Sequence, residues 1–287
     1  MKKFLKIVLI SVLVFIVLLI LLVACSDSDS SGSSINSEVK EKGVLKKEDY
    51  DKIYTDPEKY KGYKVKLTGQ VFSEPEKDDE GVYFQMFGDP ENSEKNTMVA
   101  SKDTSLKLKG DQYVEVEGII VDEFEGENAF GGEVTAAAVK ASKVKVIDFI
   151  TATSPTQKTI DVGKTIDQQG LVVQVQKVEL AKNQTRVFVK ITNNSKMDAS
   201  FYSSESKLIV NNKQLETEYL DSEESGLQEV QSEMLPNIEN EGVLIYPALP
   251  NDAKQVKLSI DASTEDYDVE FQPYTFDVTL KWNNIRY

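Results

Sequence analysis

Tyr60-Lys-Gly-Tyr-Lys-Val-Lys-Leu-Thr-Gly-Gln-Val71 decides the fold of the first half of this chain. Val65, Leu67, Gly69 and Val71 stand at every second position, so an extended backbone turns all four to one face. The same period returns at Val82, Phe84 and Met86 after the acidic turn Glu76-Lys-Asp-Asp-Glu-Gly81, and the two runs read as a hairpin. Thr97 to Ser101 supplies a third strand. Gly110-Asp-Gln-Tyr-Val-Glu-Val-Glu-Gly-Ile-Ile-Val121 supplies a fourth, with Val114, Val116 and Ile120 inward, and Val134 to Ile147 a fifth. Gly69 and Gly118 interrupt the alternation where a small barrel bends its strands sharply. Ahead of them Tyr50, Ile53 and Tyr54 share a helical face and Gly62 is the stop, which predicts a short leading helix.

Five strands at this spacing fit a small OB-type barrel. The phrases Tyr60 to Val71 and Gly110-Asp-Gln-Tyr-Val-Glu-Val-Glu-Gly118 resemble the OB-fold modules of exported proteins and lipoproteins of Gram-positive bacteria. Beyond the polar, proline-containing break Thr151-Ala-Thr-Ser-Pro-Thr-Gln-Lys158 a second β segment begins. Leu171, Val173 and Val175, then Val178 after a bulge, alternate, followed by Val187, Val189 and Ile191. Asn211-Asn-Lys213 after Leu208-Ile-Val210 reads as a hairpin turn, because asparagine tolerates positive φ. Gly242 to Tyr246, Val256 to Ile260 and Tyr274 to Trp282 complete a β-sandwich of about seven short strands. Val187-Phe-Val-Lys-Ile-Thr-Asn-Asn-Ser195, Val210-Asn-Asn-Lys-Gln-Leu215 and Leu235-Pro-Asn-Ile-Glu-Asn-Glu-Gly-Val-Leu-Ile-Tyr-Pro247 resemble the immunoglobulin-like, immunoprotective extracellular domain of such lipoproteins. That family implies the sandwich and brings no catalytic residues with it. Its usual proline-glycine-glutamate turn is replaced here by Pro236-Asn-Ile-Glu-Asn-Glu-Gly242.

The start of the chain carries an address. Met1, Lys2, Lys3 and Lys6 run into the apolar stretch Ile7 to Ala24, broken only by Ser11, which is the pattern of an export signal. Leu22-Val-Ala-Cys25 resembles the bacterial lipobox, which implies that Cys25 carries a diacylglycerol and a further acyl chain such as palmitate once the leader is cut off. The alternative is an uncleaved transmembrane anchor, since about 18 apolar residues suffice to span a bilayer. Either way the bulk of the chain lies outside the cytoplasm, anchored to the cell membrane. Ser26 to Ser34 is a polar tether. The expected organisation is therefore residues 1–24 as signal peptide, 25–45 as anchor and linker, 46–150 as barrel and 159–287 as sandwich.

Composition then removes whole classes of chemistry. The chain has no histidine, so Ser-His-Asp triads, histidine-ligated zinc and histidine acid–base catalysis are excluded. Cys25 is the single cysteine, and its place in the lipobox leaves none for disulfides or thiolate catalysis. Net charge is −15, and loss of Lys2, Lys3 and Lys6 with the leader takes it to about −18. Such a body is repelled by nucleic acid, and residues 46–150 contain no arginine to clamp a phosphate. Tyr83, Phe84, Phe87 and Tyr113 therefore read as core and barrel-face packing rather than as a base-stacking platform.

Oxygen ligands remain. Asp122-Glu-Phe-Glu-Gly-Glu-Asn-Ala-Phe-Gly-Gly-Glu133 offers Asp122, Glu125, Glu127 and Glu133 as candidate calcium ligands, although its spacing is not that of an EF-hand and a solvated loop between the fourth and fifth strands is the simpler reading. Asp221-Ser-Glu-Glu-Ser-Gly226 reads as a wet charge run. The expected protein is a mainly β, membrane-anchored, non-enzymatic binding or accessory module with no cofactor, whose partners are the membrane and an envelope protein or glycan. A calcium-dependent enzyme acting on envelope polymers through carboxylates is the alternative.

Overall fold

The computed structural model describes residues 39–90, 92–127, 133–266 and 268–280, with backbone alone at 125–127 and 133–135. Cys25 and Trp282 lie outside the described residues. The fold is mainly β and divides into two compact units, residues 1–148 and 149–287. Among the described residues no helix is long and apolar enough to cross a membrane.

The first unit holds β1 (Gly43–Val44), β2 (Tyr63–Val71), β3 (Glu76–Lys77), β4 (Val82–Asp89), β5 (Glu94–Ser101), β6 (Tyr113–Glu127) and β7 (Glu133–Ile147). Its hydrogen-bonded order β2-β6-β7-β5-β4 returns to β2 through Gln70↔Phe87 and Val71↔Met86, which closes a five-stranded ring. All contacts in the ring are antiparallel except β5 with β7. β2 changes partner from β6 to β4 at its end, and Gly69 stands at that crossing. A Cβ there would sit 2.5 Å from the Phe87 carbonyl oxygen, so only glycine lets the strands approach. Gly118 adjoins the point where β7 carries the extra residue Ser142, and a Cβ there would meet the Lys140 oxygen at 2.6 Å.

Alternation fills the barrel: Val65, Leu67, Val71, Val82, Phe84 and Met86 are all buried. The segment expected to be a leading helix is a 3-10 helix, Lys47–Tyr54, followed by the single turn Glu58–Tyr60. It inserts Ile53, which is fully buried, into the core and so gains about 1.5–3 kcal/mol of burial.

The second unit contains β8 (Thr156–Gln168), β9 (Leu171–Ala181), β10 (Gln184–Asn193), β11 (Ala199–Phe201), β12 (Lys207–Val210), β13 (Lys213–Glu216), β14 (Glu233–Met234), β15 (Glu239–Pro247), β16 (Gln255–Ile260), β17 (Ala262–Thr264) and β18 (Tyr274–Thr279). Two four-stranded sheets, β15-β10-β9-β8 and β13-β12-β16-β18, share one core, with Val173, Val189 and Ile191 from the first and Leu208, Leu258 and Phe276 from the second. A small sheet β14-β11-β17 completes the unit. Lys164 Nζ donates to the Asp277 carbonyl at 2.5 Å on one side, and Glu218 bridges to Ile245 on the other, so both edges of the stack are tied.

Local chemistry explains the turns. Asn211 and Asn212 adopt φ of 47° and 61°, the left-handed pair that a tight hairpin between β12 and β13 needs. β9 bulges at Gln176, between the residues that face Phe188 and Val189. The break expected at Thr151–Lys158 is taken up by a short helix, Phe149–Thr153, and by the start of β8. Asp221–Gly226, expected to be only a charge run, is a one-turn helix. Asp221 accepts from the Glu224 N–H at 3.0 Å, and Gly226 closes the other end at φ 68°.

Candidate functional site

Two separate features lie near the β4–β5 strands: an outward aromatic stack and a cleft. In β4 the odd positions Tyr83, Gln85 and Phe87 face away from the core, and their partners in β5 are Ala100, Met98 and Asn96. Phe72, just past β2, stacks on Phe87 with ring centroids 4.0 Å apart and planes 17° from parallel. The Phe72 N–H, which donates to the Gln85 oxygen at 3.3 Å, fixes that stack. Of the four aromatics weighed from sequence, Phe84 and Tyr113 are buried, whereas Tyr83 and Phe87 are half-buried on the outward side.

At the β4–β5 turn lies a cleft of about 420 Å³, which Asn96 helps to line. Asp51 and Tyr54 form one wall. They are three residues apart in a 3-10 helix, where such positions eclipse, so both project the same way. Ser93 to Asn96 form the opposite wall, and Ala136 of β7 also lines the cleft. The turn between β4 and β5 is shaped by Asp89, which accepts from the backbone and side-chain amides of Asn92, and by left-handed backbone at Ser93 (φ 54°) and Lys95 (φ 60°). Gly88 keeps the wall close, since a Cβ there would stand 3.0 Å from the Tyr54 hydroxyl.

The electrostatics of the cleft are mixed. Lys95 Nζ lies 2.8 Å from the Asp51 carboxylate, and that bond, with Asp89 and Tyr54 adding to it, holds the ammonium above the usual lysine range. Burial pushes the Tyr54 phenol up. Asn96 Oδ1 is shielded from solvent and meets no hydrogen-bond donor among the described residues. The cleft offers the Asp51–Lys95 ion pair, an amide, a phenol and the carboxylate of Glu94.

The calcium candidates fall elsewhere. Asp122 lies on β6, 3.3 Å from Lys61 Nζ, and accepts from the Glu123 N–H. The run expected to be a loop is mostly strand, because β6 continues to Glu127 and β7 begins at Glu133, paired with each other. The side chains of Glu125, Glu127 and Glu133 lie outside the described residues. Among the described residues no cluster of three carboxylates, histidines or cysteines is placed to hold a metal.

Sequence reasoning missed Arg186. It occupies an outward position of β10, between the inward Thr185 and Val187, yet is fully buried. Its guanidinium donates to Glu179 at 3.2 Å, to the Ser154 carbonyl at 2.9 Å and to the Thr156 hydroxyl at 2.6 Å. Lys177 pairs with Glu179 at 2.6 Å and lies 4.0 Å from the Phe188 ring centroid. The signal was in the composition: one of two arginines in the chain interrupts an otherwise apolar alternation.

The class these observations define is a mainly β protein of two compact units. No family model and no curated protein matches this chain. Among solved structures it is similar to a conserved hypothetical protein from Bacillus anthracis, at 10% identity and TM-score 0.30, over 38% of this chain and 92% of that one. It is also similar to a functionally unknown protein from Listeria monocytogenes, at 12% identity and TM-score 0.33, over 45% of this chain and 92% of that one. Both are uncharacterised, and likeness at this level carries no argument about fold or function.

Proposed function

We propose that this chain is an exported lipoprotein, held on the outer face of the cell membrane through Cys25, and that it recognises an envelope glycan without catalysing a reaction. In this reading the first unit is an OB-type barrel and the second an immunoglobulin-like sandwich. The observation that carries the reading is the Phe72–Phe87 stack on the outward face of β4. Support for the barrel type comes from the closed order β2-β6-β7-β5-β4 with its parallel β5–β7 pair. Barrels of that type use the face of their second and third strands, here β4 and β5, for oligonucleotides and oligosaccharides. The acidic charge and the lack of arginine in this unit disfavour the first of these ligands.

Two experiments test the two halves. Cells fed a labelled fatty acid should label the wild-type protein, and Cys25→Ala should lose both the label and the membrane fraction. An unlabelled wild type refutes the anchor. Purified protein should be retained on envelope polysaccharide, and Phe87→Ala should release it at lower salt or competitor. Retention unchanged by Phe87→Ala refutes the assigned face.

A further inference from the structure

We propose that β8 is a docking edge for a second copy of this chain, the two strands pairing antiparallel about a two-fold axis at Gly163. The proposal is independent of the glycan reading. β8 ends the order β15-β10-β9-β8 and, among the described residues, pairs with β9 alone, over the 13 residues from Thr156 to Gln168. A strand edge of that length presents a row of backbone donors and acceptors on which another strand can be added. Its apolar side is incompletely covered as well. Ile160, Val162 and Ile166 pack against the sandwich core yet stay half-buried, whereas Thr159, Asp161, Thr165 and Asp167 on the other face are exposed.

The sequence of the strand selects the partner. Thr159-Ile-Asp161 recurs as Thr165-Ile-Asp167, with Gly163 midway between them. Two such strands laid antiparallel with Gly163 opposite Gly163 match Ile160 with Ile166, Thr159 with Asp167 and Asp161 with Thr165, and the two-fold axis makes each pair occur twice. Opposite residues in a ladder share a face, and the members of each of these pairs do. A shift of one residue breaks that match of faces, and a shift of two sets Asp161 against Asp167 or Ile160 against Lys164. Charge agrees with the register. The chain carries −15 overall and so repels a second copy over most of its surface, but β8 holds Lys158, Asp161, Lys164 and Asp167 and is neutral. Gly163, at φ 61°, makes a bulge at the midpoint of the strand, and Lys164 reaches across to the Asp277 carbonyl. Such features blunt an edge against indiscriminate pairing, and a second β8 carries its bend at the same point. A Cβ on Gly163 would meet nothing within 4 Å among the described residues, so the axis runs through bare backbone.

The test is analytical ultracentrifugation of the full chain in excess detergent micelles, with paired substitutions across the axis. The wild type should sediment as a reversible dimer. Thr159→Glu sets a carboxylate against Asp167 of the other copy at both ends of the pairing and should weaken the dimer roughly fivefold. Adding Asp167→Asn, which removes that charge and keeps an acceptor for the Gly170 N–H, should restore the association. The two positions lie about 25 Å apart along one strand, so the rescue can arise only between copies. Both side chains are exposed, and thermal unfolding checks that the variants keep their fold. Dimers formed only through the membrane anchors would ignore both substitutions. A wild type that stays monomeric up to about 100 μM, a dimer untouched by Thr159→Glu, or a loss that Asp167→Asn does not repair overturns the proposal.

Discussion

Arg186→Met should be among the most damaging substitutions in the second unit. The guanidinium is fully buried on the outward side of β10 and makes hydrogen bonds to Glu179, Ser154 and Thr156. Its removal leaves the Ser154 carbonyl without that donor, while Glu179 keeps Lys177 at 2.6 Å and Thr156 at 3.0 Å. Losing the charge-assisted bond to Glu179 and stranding the buried Ser154 carbonyl costs about 2–4 kcal/mol. For a unit of this size that corresponds to a fall of roughly 10 °C in melting temperature. The readout should be local: urea-dependent hydrogen exchange of peptides from β8 to β10 reports this unit alone. Glu179→Leu combined with Arg186→Met should cost less than the two single changes added together, since either change alone already breaks the Arg186–Glu179 bond. A loss under about 1 kcal/mol for Arg186→Met, or strict additivity in the double variant, would refute the view that this arginine ties the Phe149–Thr156 segment to the β9–β10 hairpin.

Acid should act through the same cluster. Burial pushes the Glu179 carboxyl up, but Lys177, Thr156 and Arg186 together outweigh it and hold the carboxyl below its ordinary value of 4.5. A depressed folded pKa means stability that is complete above the unfolded value and is lost as pH falls through the folded one. The second unit should therefore weaken below about pH 4.5, and Glu179→Gln should flatten that dependence in urea melts taken from pH 3 to 7. Gly69→Ala should cost the barrel about 1–3 kcal/mol, because its Cβ would press on the Phe87 carbonyl from 2.5 Å, and exchange of β2 and β4 amides should show it. Asn212→Val should cost about 1–2 kcal/mol, since a β-branched residue resists φ of 61°, whereas Asn212→Gly should be neutral within about 0.5 kcal/mol in the same melts.

What could be read in the sequence follows from where side-chain burial has a period. β2, β4, β6, β9 and β10 each turn alternate apolar residues to the core of their unit, so their two-residue repeat survives in the residue types even where Gln85 and Arg186 are buried on the other face. β8 escaped notice because it is largely exposed and carries Lys158, Asp161, Lys164 and Asp167 among its partly buried isoleucines. β11, β14 and β17 were too short, at two or three residues each, to show any period. Gly69 and Gly118 were legible because a missing side chain inside an alternating run needs a steric reason. The cleft was not legible, since it joins Asp51 and Tyr54 to Lys95, Asn96 and Ala136 across three separate stretches of chain. Asp122 looked like a ligand because sequence shows the acids in a row and not Lys61, which reaches it from another segment.

The size and exposure of the cleft bear on how such a protein would work. At about 420 Å³ it falls at the lower end of the range for small-molecule pockets, with room for one short piece of a polymer at a time. Its carboxylates are exposed to solvent and screened by salt, so a single contact stays weak. Weak contacts suffice when both partners are confined. Under the proposed anchoring through Cys25 the protein would sample only the layer next to the membrane, where a polymer would offer the same sugar unit many times over. The effective concentration of sites then multiplies the occupancy without any new contact. On this argument the soluble chain without residues 1–25 should lose most of its retention on cells while keeping its affinity for short oligomers in solution. Equal retention of anchored and soluble forms would mean that the affinity resides in the folded units and that the anchor adds only location.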